Sequence, residues 1–384
     1  MNQDIREQAI RYHAEHKGKV EIASKVKFDN QDDLGMVYTP GMGYVCQEIV
    51  KDPEKVWEYT MKANTVAVVS DGSAVLGYGS IGPLPAIPVM EGKALVFKKF
   101  ANVDASVLCL DTTDPEEIIF ICKQIAPTFG GIHLEDIKAP ECFHIENRLK
   151  ELLDIPVFHD DQHGTAIVAL AALINAMKVT GKEWDKVKVV INGAGAAGIA
   201  IAKILLTKGV KNMIVVDSKG AIYPGREDMN PYKDELAEQT NPAREVGQLA
   251  YVIEGADVFI GVSKAGVLSE AMVRSMAPDP IVFALANPIP EIEPEVALRA
   301  GAKVVATGRP DHPNQVNNVL AFPGVFRGAL DIRARDITPQ MNLAAAEALA
   351  ALVTEPTTEK IIPLAFDPGV AEAVAEAVKK AYKG

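Results

Sequence analysis

The stretch VKVVINGAGAAGIAIAKILLTKGVKNMIVVDSKG, residues 187–220, decides the fold. An apolar run enters a glycine turn, an Ala-, Ile- and Leu-rich segment follows, and a second apolar run closes on Asp217. That order spells strand, turn, helix, strand. The turn Gly193-Ala194-Gly195-Ala196-Ala197-Gly198 places its glycines for three tasks. Gly193 permits the tight turn. Gly195, with Ala196 and Ala197 opening the helix, lets backbone approach a pyrophosphate. Gly198 lets helix and strand pack closely. The helix N-terminus offers free N–H groups and partial positive charge to the anion. Asp217 stands where a carboxylate bonds a ribose hydroxyl. The stretch therefore predicts a dinucleotide site. Asp217 argues for NAD by repelling a 2′-phosphate, while nearby Lys219 is placed to receive one, so NAD and NADP both stay open.

On the C-terminal side, strand-like runs recur at YVIEGADVFIGVS (251–263), IVFALANP (281–288) and AKVVATG (302–308), with helical text between them. Residues 338–384 read as two helices around a proline-bearing loop. On the N-terminal side, PVFHDDQHGT (156–165) runs into a helix beginning near Thr165 and capped at Gly181. Earlier still, TVAVVSDG (65–72), KALVFKKF (93–100) and ASVLCLDT (105–112) look like strands. PEEIIFICKQIAPTF (115–129) and CFHIENRLKELL (142–153) look like helices, and residues 1–27 read as an amphipathic helix with a basic turn. The expected class is α/β: an N-terminal α/β domain, residues 1–155, for substrate and dimerisation, then a Rossmann-like, doubly wound, mostly parallel domain, residues 156–384, with its C-terminal helices packing back. Residues 77–82 also fit G-x-G-x-x-G. Pro83, Pro85 and Pro88 follow, a spacing that argues against a continuing helix, so this turn is expected to be a loop near the substrate.

The 384 residues carry a net charge of −12 and are 48% hydrophobic and 23% charged. This is a globular composition, and its acidity disfavours a broad nucleic-acid surface. A small anion can still be met by a few placed cations or a metal. The four cysteines form no Cys-x-x-Cys pair, which points away from a disulfide framework or thiolate zinc site and toward a reducing compartment. The charged N-terminus has no apolar leader core, and the apolar run 166–174 falls far short of the ~20 residues of a membrane span. A cytoplasmic location with no membrane or nucleic-acid partner is expected.

Two acidic pairs, Glu135-Asp136 and Asp160-Asp161, each follow a short apolar run. This places them at the C-terminal ends of strands, where α/β sheets bind ligands. Oxygen donors of this kind suit Mg²⁺ or Mn²⁺. His159 and His163 invite a zinc or iron reading, but i and i+4 share a face only on a helix, and this segment is expected to precede one. N-capping near Thr165 accounts for one carboxylate and leaves the other pair unexplained.

Taken in order, these residues resemble the malic enzyme family in its short bacterial and archaeal form, over nearly the whole chain. The resemblance rests on Tyr38-Thr39-Pro40-Gly41, on Ser70-Asp71-Gly72-Ser73 with Leu76-Gly77, and on residues 91–98, EGKALVFK. It continues through Leu134-Glu135-Asp136-Ile137, residues 158–165, Ala286-Asn287-Pro288, and Asn317-Asn318 with Phe322-Pro323-Gly324. It implies metal-dependent oxidation and decarboxylation of malate to pyruvate on NAD or NADP, in a homodimer. It also implies Glu135, Asp136 and Asp161 as ligands of Mg²⁺ or Mn²⁺, Tyr38 as proton donor, Lys93 as proton acceptor, and Asn287 and Asn318 as the substrate's amides. Larger relatives carry an arginine for the substrate carboxylate soon after the lysine. Here residues 98–104, KKFANVD, hold none, so Lys98 or Lys99 is the expected stand-in. Lys93 is expected to be kept partly neutral by burial and a nearby cation. A metal-assisted dehydrogenase of isocitrate or tartrate, and a non-catalytic dinucleotide sensor, are the competing readings.

Overall fold

The computed structural model describes residues 3–75 and 77–383, so Leu76 of the 76–77 motif lies outside the described residues. Two sheets organise the chain. The first contains β1 (Thr65–Ser70), β2 (Asp104–Cys109), β3 (Gly131–Leu134) and β4 (Val157–His159), all parallel, in the order β2-β1-β3-β4. The chain leaves this sheet at His159, just past residue 155. The second contains β5 (Lys188–Asn192), β6 (Asn212–Asp217), β7 (Gly220–Ala221), β8 (Val258–Gly261), β9 (Ile281–Ala284) and β10 (Val304–Thr307). Its order is β10-β9-β8-β5-β6-β7, parallel except for the short β7. β5 sits between β6 and β8, so successive connections depart to opposite sides of it. That is the switch point where doubly wound sheets bind ligands.

Three expectations need correction. KALVFKKF is helical: residues Pro83–Ala101 form one helix that buries Ala86, Met90, Ala94, Phe97 and Ala101. This 3.6-residue spacing becomes visible only when the window reaches back to Pro83. The prolines permit the helix because Pro83 and Pro85 lie in its first turn, where N–H groups have no intrahelical partner, leaving only Pro88 inside. The helix expected from Thr165 instead begins at Asp160 and runs to Thr180, capped as expected by left-handed Gly181. By length and composition it is long enough to cross a membrane, yet 67% of its apolar window is buried inside the protein, as in a core helix. Finally, of residues 251–263 only Val258–Gly261 is strand; the stretch opens on the end of a short helix, Leu249–Val252, followed by a turn.

The last helices close on the first sheet. Phe322–Asp331 packs on Pro83–Ala101, and Val370–Ala381 packs on Phe322–Asp331. Gly324 and Gly328 make this close approach possible, since a Cβ at either would stand 2.6 Å from the carbonyl of Ala371 or Ala375. Phe326 contacts Phe97, His133 and Phe158 at centroid separations of 5.4, 5.7 and 5.8 Å. The fully buried aromatic thus joins three elements under the site. Phe326→Ala should cost about 3–5 kcal/mol through lost burial and the cavity left behind, read as a lower urea midpoint.

Candidate active site

β3 delivers Glu135 and Asp136 at its C-terminal end, and β4 hands the chain directly to Asp160 and Asp161 in the first turn of the Asp160–Thr180 helix. Carboxylates there face the positive end of the helix dipole. Oxygens of Glu135, Asp136 and Asp161 lie within 4.8 Å of one another. Asp136 adopts a left-handed φ of +54°, a conformation that costs energy in most non-glycine residues and recurs at functional sites. Its N–H donates to Asp161 Oδ2 at 2.9 Å, and its own Oδ2 is buried without a partner. Burial pushes Glu135 up to about 7. Burial together with repulsion from Glu135 and Asp161 pushes Asp136 up to about 9. Three crowded oxygen donors and an orphaned carboxylate oxygen are a set that a hard divalent cation fits.

Lys93 lies on the opposite side of Glu135. Its side chain is 15% exposed, with Nζ 2.6 Å from Asp160 Oδ2 and 3.0 Å from Glu135 Oε2. Nζ also sits 4.7 Å from the centre of the Phe322 ring. Burial alone would push the lysine down, but Asp160 and Glu135 outweigh it and hold the ammonium firmly protonated. The partly neutral state expected of Lys93 depends on a cation beside it, since its own carboxylate partners favour the ammonium. His133, Glu135 and Asp160 form a second potential ligand cluster, but the Lys93 ammonium already occupies it. Asp160 is fully buried, which sets it apart from neighbouring Asp161. Gly164 makes room for it: a Cβ there would stand 1.8 Å from Asp160 Oδ1.

Behind this group lies a buried carboxylate with no sequence motif to flag it. Glu146 accepts from His159 N at 3.1 Å, Gln162 Nε2 at 3.0 Å and His163 Nε2 at 2.9 Å. Burial would raise its pKa, but His163 and Lys150 prevail and hold it well below the usual carboxylate range. The segment expected to precede the helix is in fact its first turn. His163 nevertheless serves Glu146, and among the described residues no candidate metal cluster contains His159 or His163.

The glycine turn behaves as its spacing requires. Gly193 has φ +128° and approaches the Val262 carbonyl; Gly198 has no room for a Cβ beside the Gly193 carbonyl; Gly195 faces open space at the N-cap of the Ala196–Lys208 helix. Gly193, Gly195 and Asp217 line a cavity of about 680 Å³ with Ser218, Lys233 and Ser263. Glu291, fully buried, ties two loops at its edge by accepting from Ser263 N and Ala286 N, each at 3.0 Å.

The remaining sequence candidates divide. Asn318 packs against Gly164, its Cβ 3.2 Å from where a Gly164 Cβ would stand, beside Asp160. Asn287 is half-buried at the end of β9, and its neighbour Pro288 closes on Gly77, bringing the 77–82 loop to the second sheet. Tyr38 is 59% exposed, and its hydroxyl bonds none of the described residues. Lys98 turns to Asn102 and Asp104, and Lys99 is exposed. Their expected role as stand-ins for an arginine is not supported, because both leave the helix face that carries Lys93.

Fold and site together define a dinucleotide-binding oxidoreductase with a cluster of carboxylates beside a buried lysine. Residues 162–382 match the family described as malic enzyme, NAD binding domain. Residues 17–118 and 110–150 match malic enzyme, N-terminal domain. The chain is 58% identical over 380 residues to the bifunctional malic/malolactic enzyme of Bacillus subtilis, covering 98% of this chain and 93% of that one. It is 60% identical to the NAD-dependent malic enzyme of Geobacillus stearothermophilus, covering 95% and 76%. It is 48% identical to the NADP-dependent malic enzyme of Rhizobium meliloti, covering 98% and 52%. The crystal structure of NAD-dependent malic enzyme from Thermotoga maritima superposes with a TM-score of 0.94 at 52% identity, covering 97% and 99%. The chain belongs to the malic enzyme family.

Gly164→Ala should leave the protein folded but displace Asp160 from Lys93. Turnover should fall roughly tenfold to a hundredfold, and the thermal midpoint should drop as the buried ammonium loses a partner, as read by steady-state kinetics and calorimetry.

Proposed function

We propose that the protein oxidises and decarboxylates (S)-malate to pyruvate and CO₂ while reducing NAD or NADP, with a divalent cation required. The observation that carries this reading is the convergence of Glu135, Asp136 and Asp161 beside Lys93. Those three carboxylates would hold Mg²⁺ or Mn²⁺, which supplies Lewis-acid polarisation of the substrate's oxygens when bound. The segment up to His159, where the chain leaves the first sheet, serves as the malate and dimerisation domain, and the segment from Asp160 on serves as the dinucleotide domain.

With a divalent cation held by the carboxylates opposing the ammonium charge, the neutral amine is favoured; in that form Lys93 takes the proton of the malate C2 hydroxyl as hydride leaves C2 for the nicotinamide. Asp160, 2.6 Å from Nζ, orients the amine and balances the ammonium. After the C4 carboxylate departs as CO₂, Tyr38 returns a proton to C3. Asn287 and Asn318 hold the substrate through their amides. Gly193, Gly195, Ala196, Ala197 and Gly198 carry the pyrophosphate at the helix N-terminus.

The exposed apolar residues of the N-terminal segment, among them Met36 at 74%, Tyr44 at 67% and Val50 at 83%, support a homodimer in which a second copy covers them. The cysteines are all free, which agrees with a cytoplasmic setting.

With L-malate, Mn²⁺ and NAD or NADP, equal amounts of reduced dinucleotide, pyruvate and CO₂ should form, and EDTA should abolish all three; malate turnover that survives EDTA would refute the metal role. Lys93→Ala should lower kcat by about 10²–10⁴-fold, and Asp136→Asn should raise the Mn²⁺ concentration needed for half-maximal rate. Analytical ultracentrifugation should give twice the chain mass, and Tyr44→Glu should shift it toward the monomer.

A further inference from the structure

We propose that Glu146 is a positioning residue for the reaction: it fastens the start of the Asp160–Thr180 helix from outside and so leaves the carboxylates of Asp160 and Asp161 free for Lys93 and the cation. This rests on the metal-dependent reading above. The first N–H groups of a helix have no intrahelical partners, and a side chain at the N-cap normally takes one of them. His159 holds the N-cap here and makes no such bond. In the usual reciprocal arrangement, a Glu or Gln three residues on reaches back to the N-cap N–H. That place belongs to Gln162, yet Gln162 Nε2 donates to Glu146 Oε2 at 3.0 Å. The His159 N–H donates to Glu146 Oε1 at 3.1 Å. The reciprocal bond is thus supplied by a residue of a different helix, Glu141–Leu152.

Both aspartates of the first turn are engaged outside their own helix. Asp160 sends Oδ2 to Lys93 Nζ at 2.6 Å, and its Oδ1 is buried without a partner. Asp161 Oδ2 accepts from Asp136 N at 2.9 Å. Glu146 is itself firmly held. It is buried, and His163 Nε2 donates to it at 2.9 Å. Lys150 Nζ stands 3.6 Å from it and 3.3 Å from Asp336. Donors from four residues therefore converge on one carboxylate shielded from water, where charge-assisted bonds are strong. Asp160 and Asp161 lie between His159 and Gln162, two of the residues that Glu146 grips. Removing its charge loosens that turn, and with it the aim of both carboxylates.

The test uses the full chain. Mn²⁺ binding without malate is followed by the electron paramagnetic resonance of the free ion, and NADH binding by nicotinamide fluorescence. Turnover is then measured with L-malate, NAD and Mn²⁺. Glu146→Gln should weaken Mn²⁺ binding about tenfold or more and lower kcat about tenfold to a hundredfold, with NADH binding kept within about twofold. Asn175→Ala is the control. It removes bonds from the far part of the same helix to the Ala350 and Ile361 carbonyls, so it should lower the thermal midpoint and leave Mn²⁺ affinity and kcat within about twofold. Wild-type Mn²⁺ affinity in Glu146→Gln, or equal losses for Mn²⁺ and NADH, would overturn the proposal. If Glu146→Gln does not fold, Gln162→Met decides. It removes one donor to Glu146 and keeps the bulk, so Mn²⁺ binding should weaken about threefold or more, and an unchanged affinity would overturn the proposal. A wild type that binds no Mn²⁺ would overturn it together with the cation reading. Mn²⁺ binding that Glu146→Gln weakens, in a protein that does not turn malate over, would sink the reaction and leave the fastening of the carboxylates by Glu146 standing.

Discussion

A lysine ammonium buried between two carboxylates governs this structure. Lys93 is held by Asp160 and Glu135 at 2.6 and 3.0 Å, away from bulk water. Such a group is costly to desolvate, and removing one partner from it typically costs about 3–5 kcal/mol. Its surroundings answer that cost piece by piece. Gly164 leaves space for the Asp160 carboxylate, Phe322 offers the face of its ring to the ammonium, and His133 bonds Glu135 at 2.7 Å. Beside Glu135, Asp136 keeps a buried carboxylate oxygen with no hydrogen-bond partner among the described residues, and Asp161 stands close by, so negative charge is in excess there.

The two sheets cooperate through helices that begin where chemistry is needed. The helix opening at Asp160 and the one opening at Ala196 pack together, one presenting its first turn among carboxylates and the other to the dinucleotide cavity. Loops tighten the junction. Residues 71–75 bond residues 135–138 through Ala74 N to the Asp136 carbonyl and Lys138 N to Ser73 Oγ, while Gly77 meets Pro288 from the second sheet. Glu291 and Glu146 act at a distance: Glu291 fixes the backbone N–H groups of Ser263 and Ala286, and Glu146 fixes that of His159 where β4 meets the helix carrying Asp160 and Asp161.

The glycine turn, the second sheet and the acidic pairs were legible in the sequence because each depends on local order: glycine spacing, apolar runs and adjacent acids. The Pro83–Ala101 helix was not, since its prolines and a short apolar run imitate a loop followed by a strand. Lys93 was reached through resemblance, and its partner Asp160 carried no signal for it because the two lie 67 residues apart in sequence. Glu146 and Glu291 carried no signal at all. Each is an ordinary charged residue whose importance arises from burial, which a linear pattern does not display. Lys98 and Lys99 hold a suggestive position in the sequence, yet Lys98 is engaged by Asn102 and Asp104 and Lys99 is exposed.

The aromatic seam formed by Phe97, Phe322 and Phe326 has a consequence for biogenesis. A ribosome releases β1 to β4 long before the residues around 322–326, yet those late residues floor the pocket that the early strands build. The nascent first half must therefore wait with an incomplete floor and exposed apolar surface until nearly the entire chain has emerged. The seam can close only after those residues emerge, and apolar surface exposed before then is open to chaperone binding or aggregation.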